Sequence, residues 1–323
     1  VVIEGEDVYA NVPLVLTPTQ NNGSTFEFAK TSDDDDLVVA GTLELLHGAY
    51  IDAGGGLNVL DVDAKGHFAQ PKALLNIQHI NVQNLPNIYT GDEVSSGGDN
   101  DSQYPDVVEP DDPDFYADEN DSILDVSRAT SLQTMTVTQG DYEDIDAVFA
   151  EAGDLTITGI RNEAVVTVDG DFDGDGDLRL NYSGATPTTD GITLVLRNVN
   201  IESDLEVAHN GAKLTLVSTG GSNFIEDGDL AGGDGNLKEL VITGSASLFI
   251  EGDLDPTFER DTPATIDASA NTGGVDLNIT DQEQVTFLGS QGNDRFAVYT
   301  DEASEGAGDL SLFFNNEKVV ITD

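Results

Sequence analysis

The sequence predicts an all-β protein: a right-handed parallel β-solenoid with Asp/Gly-rich loops and a smaller N-terminal β region, with β-sandwich domains as the alternative. Three observations predict it. Helical periodicity is nearly absent. Short runs of alternating apolar and polar residues recur along the whole chain, each closed by Gly, Asn or Asp. The unit "LxLxxxGxxxLxIxGDL", seen in "LKELVITGSASLFIEGDL" (237–254) and echoed in "GDLTITG" (153–159), sets aliphatic residues at period two with glycine at the corners, as stacked repeats require. A sandwich calls for tight hairpin turns between strands of equal length, and only "HNGAK" (209–213) offers one.

Taken in order, residues 1–91 form the N-terminal β region, with the runs "VPLVLT", "STFEFA", "DLVVAGTLELL", "GLNVLDVDA" and "ALLNIQHINVQNL". In the last of these, Leu75, Ile77 and either His79 or Ile80 are expected to face inward. Residues 92–121 break the pattern: twelve acidic residues, no basic one and three prolines mark an acidic loop or linker. Residues 122–323 carry the solenoid, from "LQTMTVTQG" and "AVVTVDG" through "ITLVLRNVNI" and "KLTLVSTGG" to "RFAVYT" and "KVVIT". The first and last runs, "VVIEG" and "EKVVITD", read as unpaired edges that invite another strand.

Charge dominates the composition. Against 62 Asp and Glu stand 12 Lys and Arg, a formal net of −50. That field repels nucleic acid and anionic membranes. It is tolerable in molar salt, where the Debye length shrinks to about 3 Å, or with bound divalent cations. With 38% apolar residues and 34 glycines the chain still has the means to fold. It has no cysteine, hence no disulfide, thiolate site or thiol nucleophile, and no run approaches a membrane span. The opening lacks Met and a signal-like region, which suggests a processed product or fragment. The composition points to an extracellular protein.

The stretch "VDGDFDGDGDL" (168–178) places Asp169, Asp171, Asp173, Asp175 and Asp177 on alternate positions. On a regular strand they would share one face and repel by about 0.6 kcal/mol per neighbouring pair in water. A loop is therefore expected, its glycines letting carboxylate oxygens gather around Ca2+, which takes six to eight oxygen ligands. "DFDGDGD" (171–177) also matches the first half of a helix–loop–helix calcium loop, although Tyr182 stands where that loop has its closing Glu. Further candidates are Asp227, Asp229 and Asp253, which follow similar "GDL"-type phrases and would stack if in register, and Asp234 in "GGDGNL" (232–237). "TSDDDDL" (31–37) reads as a solvated charge run. His47, His67, His79 and His209 share no metal-ligand spacing, no GxSxG elbow is present, and the absence of Trp argues against an aromatic-lined sugar subsite.

"GSQGNDRF" (289–296) resembles the nonapeptide calcium repeat of RTX proteins, with Gly289, Gly292, Asp294 and Phe296 in place and Ser290 at the second glycine. With "TIDASA" (265–270) and "LKELVITG" (237–244), it makes residues 150–300 similar to calcium-dependent bacterial surface-layer proteins and RTX adhesins. The resemblance implies a secreted, calcium-binding β-solenoid that assembles with copies of itself into a surface layer or filament, with Gly292 and Asp294 at the metal. A cell-surface glycan is a further expected partner. The alternative function is a β-helical, calcium-dependent polysaccharide lyase or an adhesin. A lyase would need two or three of Arg128, Arg161, Arg179, Arg197, Arg260 and Arg295 to converge on an acidic cleft.

Overall fold

The computed structural model describes residues 2–4, 14–16, 28–30, 35–85, 121–139, 153–172, 176–183, 191–230, 237–253, 264–280, 284–299, 310–314 and 318–322. The protein is all-β, with a large, curled and mainly parallel sheet; the one helix among these residues is a single turn, Leu43–Leu46. The expected acidic loop lies, but for Asp121, outside the described residues.

Successive strands alternate between two parallel stacks. One runs from Leu14–Val15 through Leu37–Ala40, Val59–Ala64, His79–Asn84, Thr134–Gln139 and Val165–Phe172 to the first half of the long Ile192–Ala208 strand. It continues through Lys213–Thr219, Glu239–Gly244 and Ala264–Asn271 to Gln284–Leu288. The other runs from Phe68–Ala69 through Ser122–Asp125, Leu155–Arg161 and Leu178–Ser183 to the second half of Ile192–Ala208. From there it passes through Asn223–Asp229, Leu248–Asp253 and Val275–Thr280 to Asp294–Tyr299. Ile192–Ala208 thus belongs to both stacks. A separate four-stranded parallel sheet links Val2–Glu4, Phe28–Lys30, Tyr50–Asp52 and Ala73–Leu75.

Period-two alternation sends every second side chain inward. Leu60, Ile80, Met135, Val166, Leu194, Leu216 and Ile242 follow one another at matching register, each 1% exposed or less. The outer positions of the same strands are mostly polar, with valines such as Val195, Val217 and Val241 among them, and the apolar cluster runs unbroken from Leu16 to Phe296. Each fully buried aliphatic side chain contributes about 1.5–3 kcal/mol. Corners require close backbone approach. Gly244 has φ of +106°, and a Cβ there would collide with the Ser218 carbonyl.

Three expectations change. Parallel pairing replaces the antiparallel hairpins of the sandwich alternative; even across Asn210-Gly211 the flanking strands pair in parallel, Ile192 opposite Leu214, so that turn is a corner and not a hairpin. Leu74, not Leu75, faces the interior, with Ile77 and Ile80, because the short Ala73–Leu75 strand has its own phase. The end strands are not wholly unpaired: Val2–Glu4 pairs with Phe28–Lys30, and Lys318–Thr322 lies antiparallel on Gln284–Leu288. The Leu310–Phe314 strand covers Asp294–Tyr299 in the same antiparallel manner.

Candidate metal centre

An aspartate stands immediately before an inward residue in five consecutive strands of the second stack. Ser122, Leu155, Leu178, Leu205 and Gly228 are register partners in turn, so Asp121, Asp154, Asp177, Asp204 and Asp227 precede them in one row. Strands in a sheet lie about 4.8 Å apart, which brings neighbouring carboxylates close. The backbone makes the row tolerable. The Asp154 N–H donates to Asp121 Oδ1 at 3.3 Å, Asp177 N–H to Asp154 Oδ1 at 2.9 Å, and Asp204 N–H to Asp177 Oδ1 at 3.2 Å. Each of these three carboxylates therefore ties its strand to the next by a charge-assisted hydrogen bond.

The row is densest in its middle. Ligand oxygens of Asp177, Asp204 and Glu206 lie within 4.8 Å of one another, Glu206 being two residues along from Asp204 on the same face. Two like charges at that distance repel by about 3.5 kcal/mol at an effective dielectric of 20. Arg179, likewise two residues beyond Asp177, offsets part of this. Its Nη2 donates to Asp177 Oδ2 at 2.6 Å, its Nε reaches Glu206 Oε1 at 3.1 Å, and its Nη1 binds Asp154 Oδ2. Three carboxylates thus share that one guanidinium, and its charge also acts on Asp204.

The titration directions agree with a surplus of negative charge. Burial raises the Asp177 pKa, the charges of Asp154 and Asp204 raise it further, and the Asp204 N–H and Arg179 only partly oppose them. Asp204 is raised by burial and then by Asp227 and Glu206. Burial works against the charge on Arg179, yet its bond to Glu206 and the surrounding carboxylates raise its pKa above the ordinary arginine value. Beside the triad opens a cleft of about 340 Å³ lined by Glu202, Ser203, Asp204, Glu226, Asp227, Glu251 and Gly252, with no basic residue. An all-oxygen, anionic donor set of this kind fits a hard divalent ion such as Ca2+ or Mg2+.

The expected site residues fall in separate places. Asp169 and Asp171 lie on the Val165–Phe172 strand, against the expectation of a loop from 168 onward. Gly170, at φ +104°, sits where the register with the next strand slips, and outward neighbours relieve the two carboxylates. Arg197 Nη2 donates to Asp169 Oδ2 at 2.7 Å, and Asn200 Nδ2 donates to Asp171 Oδ1 at 2.8 Å. Asp177 belongs to the other stack, where it meets Asp204 and Glu206. Asp173, Asp175 and Asp234 lie outside the described residues.

Asp227 and Asp229 stand opposite Asp204 and Glu206, whereas Asp253 is opposite Asn278 in the following pair of strands. A Cβ on Gly252 would strike Asp227, so the aspartate row meets a glycine there. Asp294 is buried, and its carboxylate is used by the turn itself: Oδ1 accepts the Val275 N–H at 3.0 Å and the Ser290 hydroxyl, and Oδ2 accepts the Ser290 N–H at 2.7 Å. The Gly292 N–H donates to Ser290 Oγ at 2.9 Å. The RTX-like phrase thus forms a self-bonded corner.

Sequence reasoning missed Asp154, Arg179, Asp204 and Glu206. The available signal was the repeated Asp-Leu pair, at 154–155, 177–178 and 204–205, each ahead of an alternating run. Comparison with protein-family models, with curated proteins and with solved structures finds no match for the chain.

Proposed function

We propose that this chain is an extracellular structural protein: a right-handed β-solenoid that binds calcium along its aspartate row and assembles with copies of itself into a surface layer or filament. The convergence of Asp177, Asp204 and Glu206 on the outer face of a parallel stack carries this reading. Closure into a solenoid is supported by the alternation of strands between two parallel stacks from His79–Asn84 to Asp294–Tyr299 and by one strand, Ile192–Ala208, serving both. Its hand follows from the near-universal right-handedness of parallel crossovers. Calcium would act twice, relieving repulsion within a subunit and letting two strongly negative surfaces approach.

The lyase alternative is weakened by the arginines. Among the described residues Arg128 acts on Asp125, Arg161 pairs with Glu163, Arg179 with Asp154, Asp177 and Glu206, Arg197 with Asp169 and Arg295 with Asp276, each in its own place. Electron microscopy of the native material tests the proposal. Sheets or filaments that dissolve on exhaustive chelation and re-form with calcium are expected; particles indifferent to chelation, or monomers throughout, would overturn it.

A further inference from the structure

The corner between the Ile192–Ala208 and Lys213–Thr219 strands holds His209, Asn210 and Gly211. His209 is 5% exposed, Asn210 is exposed, and Gly211 lies against the imidazole. Two hydrogen bonds fix the state of the ring. Nε2 lies 3.1 Å from the Leu230 carbonyl, which can only accept, so Nε2 carries the proton. Nδ1 receives the Gly211 N–H at 3.0 Å, so it presents its lone pair to that amide. Burial lowers the His209 pKa, with the bonds to Leu230 and Gly211 and the charge of Asp229 opposing, which favours the neutral ring with its Nδ1 lone pair free of a proton. The charged groups nearby are Asp229 and, on the next strand, Lys213, whose ammonium is paired with Glu239 at 3.0 Å. The acceptor matters here, since a backbone carbonyl in its place would hold the amide proton without being able to remove it.

We propose that Asn210-Gly211 is a self-modification site at which His209 serves as the general base. The Gly211 nitrogen attacks Asn210 Cγ to close a five-membered imide, while its proton passes to His209 Nδ1. The bond from Cγ to the side-chain nitrogen then breaks, and the same proton leaves His209 with that nitrogen as ammonia. Water opens the imide at either carbonyl, leaving aspartate or isoaspartate at position 210. No oxidant, metal or second protein is needed. Glycine at 211 is required twice: it lets the ring close without a side chain, and a Cβ there would lie 3.3 Å from His209 Nδ1. The product adds one more carboxylate to an already acidic surface and, as isoaspartate, lengthens the backbone at a corner.

The test is peptide mapping by mass spectrometry of the full chain aged in its native state and, in parallel, in denaturant, with isoaspartate detected by enzymatic methylation. Conversion at position 210 is expected to run several-fold faster in the native chain than in the unfolded one. It should also stay nearly level from pH 8 to pH 6.5, where the unfolded rate falls with hydroxide. In His209→Gln, which keeps a donor for the Leu230 carbonyl, native conversion should drop to the unfolded rate or below. Native conversion slower than unfolded, a native rate that tracks hydroxide, or a folded His209→Gln chain that converts as fast as the parent would each overturn the proposal. The first two readouts need no variant.

Discussion

Replacing Asp204 by Asn tests the electrostatic reading of the row at its most crowded point. Asn keeps the shape of the side chain and leaves the Asp204 N–H bond to Asp177 Oδ1 intact, so the change removes charge alone. Asp204 faces Asp177 and Glu206 at 4.8 Å or less and is opposite Asp227 in register. One unit-charge pair at that distance is worth about 0.9 kcal/mol in bulk water and about 3.5 kcal/mol at an effective dielectric of 20. Exposure and the neighbouring guanidinium hold the net effect to about 1–3 kcal/mol. In chelator, Asp204→Asn is therefore expected to be more stable than the parent by that amount. In calcium the order should narrow or reverse, because a ligand at a hundred times its dissociation constant adds about 2.7 kcal/mol to the parent and less to the variant. Urea unfolding in chelator and at saturating calcium measures both. A variant that loses stability in chelator and retains the full calcium gain would refute the argument.

Other perturbations read different parts of the structure. Arg179→Gln leaves Asp154, Asp177 and Glu206 without their shared cation; the metal-free protein should lose about 1–3 kcal/mol, discounted because the side chain is 31% exposed, while calcium affinity rises. Asp294→Asn puts an amide donor against backbone N–H groups that a buried carboxylate now accepts, so a loss of about 2–3 kcal/mol is expected, equal with and without calcium. A calcium-dependent loss there would restore the RTX-like reading of that turn. The pH dependence has a definite sign. Asp177 and Asp204 have folded pKa values above their unfolded ones, so their contribution is most favourable below the ordinary aspartate value near 3.9 and is lost as pH rises through the raised folded values. Metal-free melting temperatures should accordingly fall across that acidic range for the parent and fall less for Asp204→Asn. In the core, Leu194→Ala should cost about 2–5 kcal/mol, read by the same urea unfolding.

The alternation that fills the interior was legible, since Leu60, Val62, Leu194, Leu196, Leu240 and Ile242 stand at period two in runs bounded by glycine. Which strand pairs with which was not, because register depends on corner lengths that vary: consecutive partners in one stack, His79 and Thr134, are 55 residues apart. The same distance problem hid the metal centre. Arg179 is 25 residues from Asp154, and Asp204 is 27 from Asp177, so no local window contains the cluster. The local run at 169–177 reads as one site because its charges are adjacent in sequence, yet the fold sends Asp169 to Arg197 on one stack and Asp177 to Glu206's neighbourhood on the other. At Asp294 a spacing suited to a metal loop equally suits a turn whose carboxylate bonds the backbone of Ser290 and of Val275 on the neighbouring strand.

Calorimetric titration of the chain with calcium, at fixed ionic strength set by sodium chloride, bears most directly on the claim that bound divalent metal holds the acidic face together. Saturable binding that survives molar sodium and is lost or weakened at least tenfold in the combined Asp177→Asn, Asp204→Asn and Glu206→Gln variant is the predicted result. Heats that vanish as sodium rises, or a titration unchanged in that variant, would contradict it and assign the acidity to bulk salt.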